Sequence, residues 1–412
     1  MKINDNKSEK FWIIFSIVIF AFLLRAAAAV GFFSTFDTYW YRNWAVDLPN
    51  GLFSVYKRAD LIQLDYPPLY LILLYPIGLV YKVTGTEIND YAQMALLKFW
   101  PVVFDVLTVI AIYLLLRRKN QNIALLCSGL WAVNPSAVFN SSFWGQTDSV
   151  MVFFLLLAFF YLYEQRFITA SVLFAVAGLI KYQSLFFTPV FLLYIWFKKK
   201  DIKIFLKSVL AAAVTVAVVF LPFMIGSGNP LLFFDVYFGG AGTYKYCTLN
   251  ACNTYALLGL NWKPDSGGYG IIGLVTVAIA LVFIFIIFKK SRHLCPFAGG
   301  LLIMQCIFMF ATRMHERYQF AVLIFALLCY AVNRNTAFLG VFSGLSIITF
   351  LNQALLLFMW HSPENPIFNY YDQMLMIISF LNIILFFYSS KITVKLFLTD
   401  KEETTENVAS VQ

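Results

Sequence analysis

Charged residues are scarce in this sequence, and their scarcity excludes most soluble folds. Asp, Glu, Lys and Arg make up 12% of the 412 residues, whereas hydrophobic residues make up 61% and aromatic residues 19%. Soluble domains carry about 25% charged residues. The composition therefore predicts an all-α integral membrane protein that crosses the bilayer several times.

Residues for metal or nucleotide chemistry are also lacking. The three His are scattered, the six Cys have no zinc-ligand spacing, and no glycine-rich nucleotide loop or Walker pattern is present. We predict no resident cofactor, although the spacing leaves a divalent metal open. Cys247 and Cys252 share one loop, where a local disulfide is an open possibility.

Long apolar runs dominate what is present. With about 20 residues per span, we predict about twelve transmembrane helices at 11–31, 96–116, 122–140, 149–163, 168–181, 184–197, 208–226, 270–288, 296–312, 318–333, 336–354 and 371–390. No small-residue cleavage site follows the first run, so we expect a retained first helix. A further run, 67–83, contains prolines and is predicted as a juxtamembrane or re-entrant helix on the outer face.

The net charge of +9 is explained by orientation. With a cytoplasmic amino terminus, the inner segments hold 19 of the 30 basic residues, which puts both termini in the cytoplasm of a multi-pass plasma-membrane protein. We therefore predict membrane lipid, and no nucleic acid, as a partner.

The predicted organisation is a single polytopic domain over 1–412. Within it we expect a cytoplasmic amino terminus at 1–10, a catalytic first outer loop with the juxtamembrane helix at 32–95, a large outer loop at 226–270 and a cytoplasmic tail at 391–412. The polar end, 400–412, is predicted to be disordered.

Two carboxylates stand among Tyr and Trp residues in the first outer loop. An acidic side chain at a membrane surface is costly unless it has a partner or a function. Asp37 is our candidate for a catalytic base. Asp65 is the alternative, although it more readily serves to position the Tyr-Pro-Pro turn that follows.

Basic residues on the outer side are candidates for binding phosphate. Arg313 and Arg317 would share a face if their segment were helical, and with His315 they would form a phosphate clamp. The alternative is an Arg–Glu network through Glu316. Lys181 at a buried turn favours a lipid phosphate, with snorkelling to the interface as the alternative.

Two further features have competing interpretations. Lys98 and Asp105 lie seven residues apart on one helical face, and we expect them to pair locally. The polar turn at 140–149 contains Gln146 and Asp148, which suit sugar hydroxyls. The alternative is a helix start capped by Asp148 or Ser149.

Several of these segments resemble known glycosyltransferases. The segment 65–69 reads Asp-Tyr-Pro-Pro-Leu and resembles the signature of glucosyltransferases that use dolichyl-phosphate glucose. Segments 144–149 and 314–318 are similar to bacterial relatives of the second mannosyltransferase of glycosylphosphatidylinositol assembly. Both groups belong to the GT-C superfamily of polytopic glycosyltransferases.

The resemblance implies an inverting hexosyltransferase with a GT-C-like fold. Its donor would be mannose or glucose on a polyprenyl phosphate, and its acceptor a glycan, lipid or protein outside the cytoplasm. The implied site comprises Asp37 and Asp65 for catalysis, Lys181, Gln183, Arg313, His315 and Arg317 for the donor phosphate and lipid, and Arg42, Tyr66, Trp144, Gln146, Asp148 and Glu316 for sugar or acceptor. Asp37 follows Phe and precedes Thr, whereas the eukaryotic glucosyltransferases have a Gly-Asp-Tyr-Glu context. The sequence therefore does not decide whether mannose or glucose is transferred.

Two other classes of function compete with this one. A transporter or flippase of a lipid-linked sugar also has many spans, but it concentrates polar groups near the midplane, often in two related halves. Here the polar residues gather on one predicted face and no half-repeat is visible. A third interpretation is a non-catalytic membrane protein that stabilises a glycan-assembly complex. It would not explain the presence of Asp37 and the cationic cluster.

Overall fold

The computed structural model describes residues 2–31, 36–85, 91–239 and 244–399. The chain divides into two compact units: unit 1 comprises 1–157, 172–182 and 211–241, and unit 2 comprises 158–171, 183–210 and 242–412. Parts of both predicted outer loops, 32–35, 86–90 and 240–243, lie outside the described residues. So does the 400–412 tail that we expect to be disordered.

The longer helices follow the apolar runs of the sequence. Their bounds are α1 (Lys2–Gly31), α2 (Phe36–Asp47), α3 (Pro68–Thr84), α4 (Tyr91–Leu97), α5 (Phe99–Leu116), α6 (Gln121–Ala132), α7 (Asp148–Tyr163), α8 (Phe167–Ile180), α9 (Thr188–Lys199), α10 (Ile202–Ser227), α11 (Leu232–Phe238), α12 (Tyr269–Lys290), α13 (Pro296–Phe310), α14 (Val322–Asn333), α15 (Ala337–His361) and α16 (Tyr371–Leu398). Two short strands, β1 (Thr248–Leu249) and β2 (Met314–His315), pair in parallel.

Several helices have the length and composition of membrane spans. Within the described residues, six are long and apolar enough to cross a bilayer, and a seventh span is formed if a bent pair counts as one. In the most apolar part of α10 only 11% of the residues are buried inside the protein, so most of its large apolar side chains are exposed, as lipid contact requires. The protein is thus an all-α multi-pass membrane protein, and the count of twelve spans stays a prediction.

One predicted span is broken. The run predicted as a continuous helix over 122–140 ends at Ala132 and bends by 48° into the segment 135–144. Asn134 and Pro135 explain the break. Proline disfavours helical backbone in the residue before it, and Asn134 Oδ1 accepts a hydrogen bond from the amide of Ala137 to start the next helical turn.

In unit 1, α2 and α3 pack with their backbones in close approach. Gly78 of α3 lies so near the carbonyl oxygen of Ala45 in α2 that a Cβ would overlap it. Tyr41 and Trp44 of α2 are buried with Tyr70 and Leu74 of α3 in one apolar cluster. This packing fixes α2, the helix that carries Asp37 and Arg42.

A buried ion pair in unit 1 corrects one prediction. Asp105 of α5 accepts a 2.7 Å hydrogen bond from Arg25 Nε of α1, and both side chains are fully buried. Trp131 and Ser141 donate to the same carboxylate. The expected pairing of Lys98 with Asp105 is therefore wrong: Lys98 Nζ donates to the carbonyl oxygen of Ala29. An i,i+7 spacing puts two charges on one face but about 10 Å apart.

Unit 2 contains a buried network of amide side chains. Gln319 and Asn382 exchange two hydrogen bonds, and Asn382 Nδ2 also donates to the carbonyl oxygen of Cys252. Asn352 accepts from the amide of Cys252 and donates to the carbonyl oxygen of Asn250. The network ties the loop around Cys252 to α15 and α16.

The network also bears on the possible disulfide. Cys247 and Cys252 are both free and buried. The thiol of Cys247 contacts the carbonyl oxygen of Pro264, whereas the Sγ of Cys252 accepts from Asn382. The two thiols thus have different partners, and no bond joins them.

Candidate active site

Asp37 lies in the first turn of α2 in unit 1. The helix dipole stabilises a carboxylate at this position. Its Oδ2 accepts a 2.9 Å hydrogen bond from Trp144 Nε1, and the side chain is half-buried. Two residues predicted from separate motifs, 107 positions apart in the chain, are therefore in direct contact.

The turn that carries Trp144 has an unusual backbone. Residues Phe139–Trp144 form a π-helical turn, and Gly145 follows with φ +79°. Such a φ is readily accessible only to glycine. A Cβ on Gly145 would lie 2.8 Å from Lys98 Cγ and 3.3 Å from Thr38 Cγ2, so this turn packs closely on α2.

A chain of hydroxyl and amide groups joins α2 to the two motifs. The hydroxyl of Tyr41 donates to Gln146 Oε1 at 3.0 Å and lies 2.8 Å from the hydroxyl of Tyr66. Tyr56 donates to the carbonyl oxygen of Tyr66 and holds the Tyr-Pro-Pro turn. Burial, with Tyr237 and Asp65 nearby, raises the pKa of Tyr56 well above its usual value, which keeps this donor protonated.

Lys181 is buried and paired in unit 1. Its Nζ donates to Asp148 Oδ1 at 2.9 Å and lies 5.8 Å from the ring centroid of Tyr66. The other carboxylate oxygen of Asp148 accepts from Asn140. The anion at Lys181 is thus a carboxylate of the 140–149 turn, and snorkelling is excluded because Lys181 is 1% exposed. Ser149 donates to the carbonyl oxygen of Pro101.

Asp65 and Arg42 contrast in exposure. Asp65 is exposed in the turn that precedes α3. Arg42 of α2 is 8% exposed, and its Nε is fully buried with no acceptor among the residues that the structure describes.

In unit 2, the residues predicted to form a phosphate clamp do not lie on a helix. The segment is extended at β2, and Arg313 has φ +64°, so Arg313 and Arg317 do not share a helical face. Arg313 Nε pairs with Asp265 at 2.7 Å. Arg317 Nη1 pairs with buried Glu316 at 2.7 Å, which matches the Arg–Glu network that we considered as the alternative.

His315 has both a charged and an aromatic environment. Its Nδ1 lies 3.9 Å from Glu316 Oε2, and its ring packs against Tyr244 and Tyr318 at centroid distances of 5.5 and 5.1 Å. Gln183 is also in unit 2, in the 3₁₀ turn Tyr182–Phe187, and its Oε1 is buried without a donor from the described part of the chain.

Sequence reasoning missed three residues of these clusters. Tyr41 was visible as the residue one helical turn after Asp37. Arg25 was visible as the one charge inside the first apolar run, 11–31. Asp265, the partner of Arg313, had no local signal because 48 residues separate the two.

The unit 1 cluster has the groups that hydroxyl activation needs. Asp37 is a hydrogen-bond acceptor in a half-buried setting, and Tyr41, Tyr66 and Gln146 supply polar groups beside it in the fold. No group of three His, Cys, Asp or Glu side chains within the described ranges is placed to hold a metal.

Comparisons with known proteins give a family match and a structural similarity. The model of glycosyltransferase family 87 matches residues 64–312, more than half of the chain. Among solved structures, the chain is similar to ArnT from Cupriavidus metallidurans bound to undecaprenyl phosphate, with 13% identity and a TM-score of 0.41 over 97% of this chain and 78% of ArnT. A comparison with curated protein sequences found no match.

Proposed function

Because the chain belongs to glycosyltransferase family 87, we propose that it transfers mannose or glucose from a polyprenyl-phosphate sugar to an acceptor on the extracytoplasmic face, with inversion. Family membership confirms the resemblance to polytopic GT-C glycosyltransferases. The identity of the sugar, the identity of the donor lipid and the side of the membrane on which transfer occurs are parts of our proposal.

The observation that carries the proposal is the setting of Asp37. A base must lie within hydrogen-bond reach of the acceptor hydroxyl. Trp144 Nε1 holds one oxygen of this carboxylate at 2.9 Å, which orients the group. Asp65, by contrast, is exposed, a weaker setting for a positioned base.

The proposed reaction is one displacement at the anomeric carbon. The acceptor oxygen attacks and its proton passes to Asp37. The bond between the anomeric carbon and the phosphate oxygen breaks, and its electron pair leaves with the polyprenyl phosphate. A phosphate leaving group needs no proton donor, but it is stabilised by cations as its charge develops.

The cations for the phosphate are proposed in two groups, one in each unit. In unit 1 the candidate is Lys181, held by Asp148. In unit 2 the candidates are Arg313, His315 and Arg317, with Gln183 as an amide ligand. The pairing of Arg317 with Glu316 supports a role for Glu316 in positioning this arginine.

Polar groups of unit 1 are proposed to bind sugar or acceptor hydroxyls. The hydroxyls of Tyr41 and Tyr66 and the amide of Gln146 form one hydrogen-bonded chain. Gln146 Nε2 is buried with no acceptor among the described residues, so it has a donor to offer. Tyr41 joins the residues already proposed, Tyr66, Trp144, Gln146 and Asp148.

The test is sugar transfer by the purified full-length protein in detergent. Synthetic polyprenyl-phosphate mannose and polyprenyl-phosphate glucose are supplied with a panel of glycan and lipid acceptors. We expect release of polyprenyl phosphate with an inverted product linkage. Asp37→Asn should lower the rate by about 10²–10⁴-fold, the usual contribution of a general base.

Asp65→Asn is the matched control, because it makes the same change at an exposed carboxylate. We expect it to retain most of the activity and both variants to melt like the wild type. Full activity in Asp37→Asn would contradict the assigned base. If the wild type transfers nothing but moves the lipid-linked sugar between the leaflets of vesicles, transport replaces transfer.

A further inference from the structure

Arg42 stands apart from the other buried cations of unit 1. Arg25 is paired with Asp105 at 2.7 Å, and Lys181 is paired with Asp148 at 2.9 Å. Arg42 is 8% exposed, yet it forms no ion pair or hydrogen bond with any residue that the structure describes. Its guanidinium is the exception to the pairing that its neighbours follow.

A buried guanidinium nitrogen without an acceptor is energetically unfavourable, and Nε of Arg42 is such an atom among the described residues. Arg cannot deprotonate in a protein, so it cannot relieve burial by losing its charge. Burial of an ion without a counter-charge is costly. A group that brings negative charge to Arg42 would satisfy this nitrogen.

The position of Arg42 directs this group to the candidate active site. Arg42 is four residues after Thr38 and shares a face of α2 with it. Thr38 packs against the turn at Gly145, and Tyr41 contacts Gln146 of the same turn. Arg42 therefore lies on the part of α2 that packs near the predicted sugar-binding turn.

A second buried donor points to the same kind of ligand. Gln146 Nε2 is fully buried and has no acceptor within the described residues. Gln146 is held by a 3.0 Å hydrogen bond from Tyr41, the residue next to Arg42, so a group rich in acceptors could serve both donors. A phosphate oxyanion has this chemistry, and Arg binds it through forked donors.

We propose that Arg42 is the binding residue for a phosphate group of a lipid substrate, and not for a neutral sugar hydroxyl. This inference rests on the proposed function. Two sources share the required chemistry: the phosphate that links the sugar to the polyprenyl donor, and a phosphate on an anionic lipid acceptor.

The test is binding to the full-length protein in detergent, measured by ligand-induced shifts in melting temperature. Three probes are compared: polyprenyl phosphate, the neutral polyprenol of the same chain length, and phosphatidylglycerol. All variants are made in the Asp37→Asn background, so that binding is measured without turnover and the result stands apart from the success of the transfer assay.

We expect polyprenyl phosphate or phosphatidylglycerol to stabilise the protein and polyprenol to have little effect. Arg42→Gln should weaken binding of that anionic probe by at least about tenfold, whereas Arg42→Lys should retain part of it because the charge remains. A response to polyprenyl phosphate identifies the donor as the source, and a response to phosphatidylglycerol identifies an anionic acceptor.

Arg58→Gln is the matched control in the same unit. Arg58 is paired with Asp47 at 2.7 Å and is partly exposed, so its loss should leave binding of all three probes unchanged. Without a ligand, Arg42→Gln should melt at or above the wild-type temperature, because it removes an unpaired buried charge. The proposal is overturned if Arg42→Gln binds the anionic probes as the Asp37→Asn parent protein does, or if neither anionic probe outperforms polyprenol.

Discussion

Trp144 donates its indole hydrogen to Asp37, with 2.9 Å between Nε1 and Oδ2. The bond joins the first turn of α2 to the end of a π-helical turn. The bond therefore contributes directly to the orientation of the carboxylate.

Trp144→Phe removes this donor and keeps most of the apolar contact. We expect the rate of hexose transfer to fall by about tenfold, since about 1.4 kcal/mol of lost positioning corresponds to that factor. The measurement is kcat at saturating donor for wild type and variant.

Trp131→Phe is the matched control for this change. Trp131 Nε1 also donates to a carboxylate, that of Asp105, at 2.8 Å. We expect it to lower the melting temperature without a specific loss of kcat. Equal losses of kcat in Trp144→Phe and Trp131→Phe would contradict a specific role of Trp144 in positioning Asp37.

Arg25→Met should be one of the most destabilising single changes in unit 1. It leaves Asp105 buried without its cation, and breaking a buried pair from one side costs about 3–5 kcal/mol. The readout is the melting temperature in detergent. Arg58→Met, which breaks a partly exposed pair, should cost about 0–1 kcal/mol; similar melting shifts for both would contradict the buried pair.

Gly78→Ala tests the close approach of α2 and α3. The new Cβ would overlap the carbonyl oxygen of Ala45, and a backbone atom cannot rotate away as a side chain does. We expect a stability loss of about 1–3 kcal/mol, typical of overpacking, together with reduced transfer activity.

Gly340→Ala is the matched control for the glycine substitution. Gly340 lies in α15 with open space around the position of a Cβ. Alanine is favoured over glycine in a helix by about 1 kcal/mol, so this variant should melt at or above the wild-type temperature. A Gly78→Ala protein that melts like wild type would show that α2 shifts without cost.

The free thiols of unit 2 predict a pH-dependent labelling pattern. Denatured without reductant, all six cysteines should react with iodoacetamide. In the native protein Cys252 should be protected, because burial raises its pKa to about 12. Burial also raises the pKa of Cys247, whose side chain is likewise buried, so it too should label slowly in the native protein and faster as the pH rises, because the thiolate is the nucleophile. A mass shift of two hydrogens in the unreduced protein would instead reveal a disulfide.

The helices were largely predictable, because apolar runs of membrane length leave the backbone few alternatives. The run at 269–290 is an example: the prediction of 270–288 falls within α12. The bend after Ala132 was not predicted, although the Asn-Pro pair that causes it is visible in the sequence.

Pairings between distant residues were harder to predict. The contact of Asp37 with Trp144 was not foreseen, although both residues were predicted to belong to the site. The pairing of Lys98 with Asp105 was inferred from local spacing and is wrong. Arg313 and Arg317 would share a face only in a helix, and their segment is not helical. The partner of Asp105 is Arg25, 80 residues away, and the partner of Arg313 is Asp265, 48 residues away. Rules based on helical spacing do not predict contacts at such separations.

The ladder between β1 and β2 has a consequence for the order of biogenesis. Its partners Thr248 and Met314 are 66 residues apart, and α12 and α13 lie between them. During synthesis the segment around β1 therefore emerges long before the strand that pairs with it. His315 and its neighbours reach their native geometry only after both intervening helices have been inserted, so a ribosome stalled before residue 314 would carry a chain whose 244–268 segment is open to proteases.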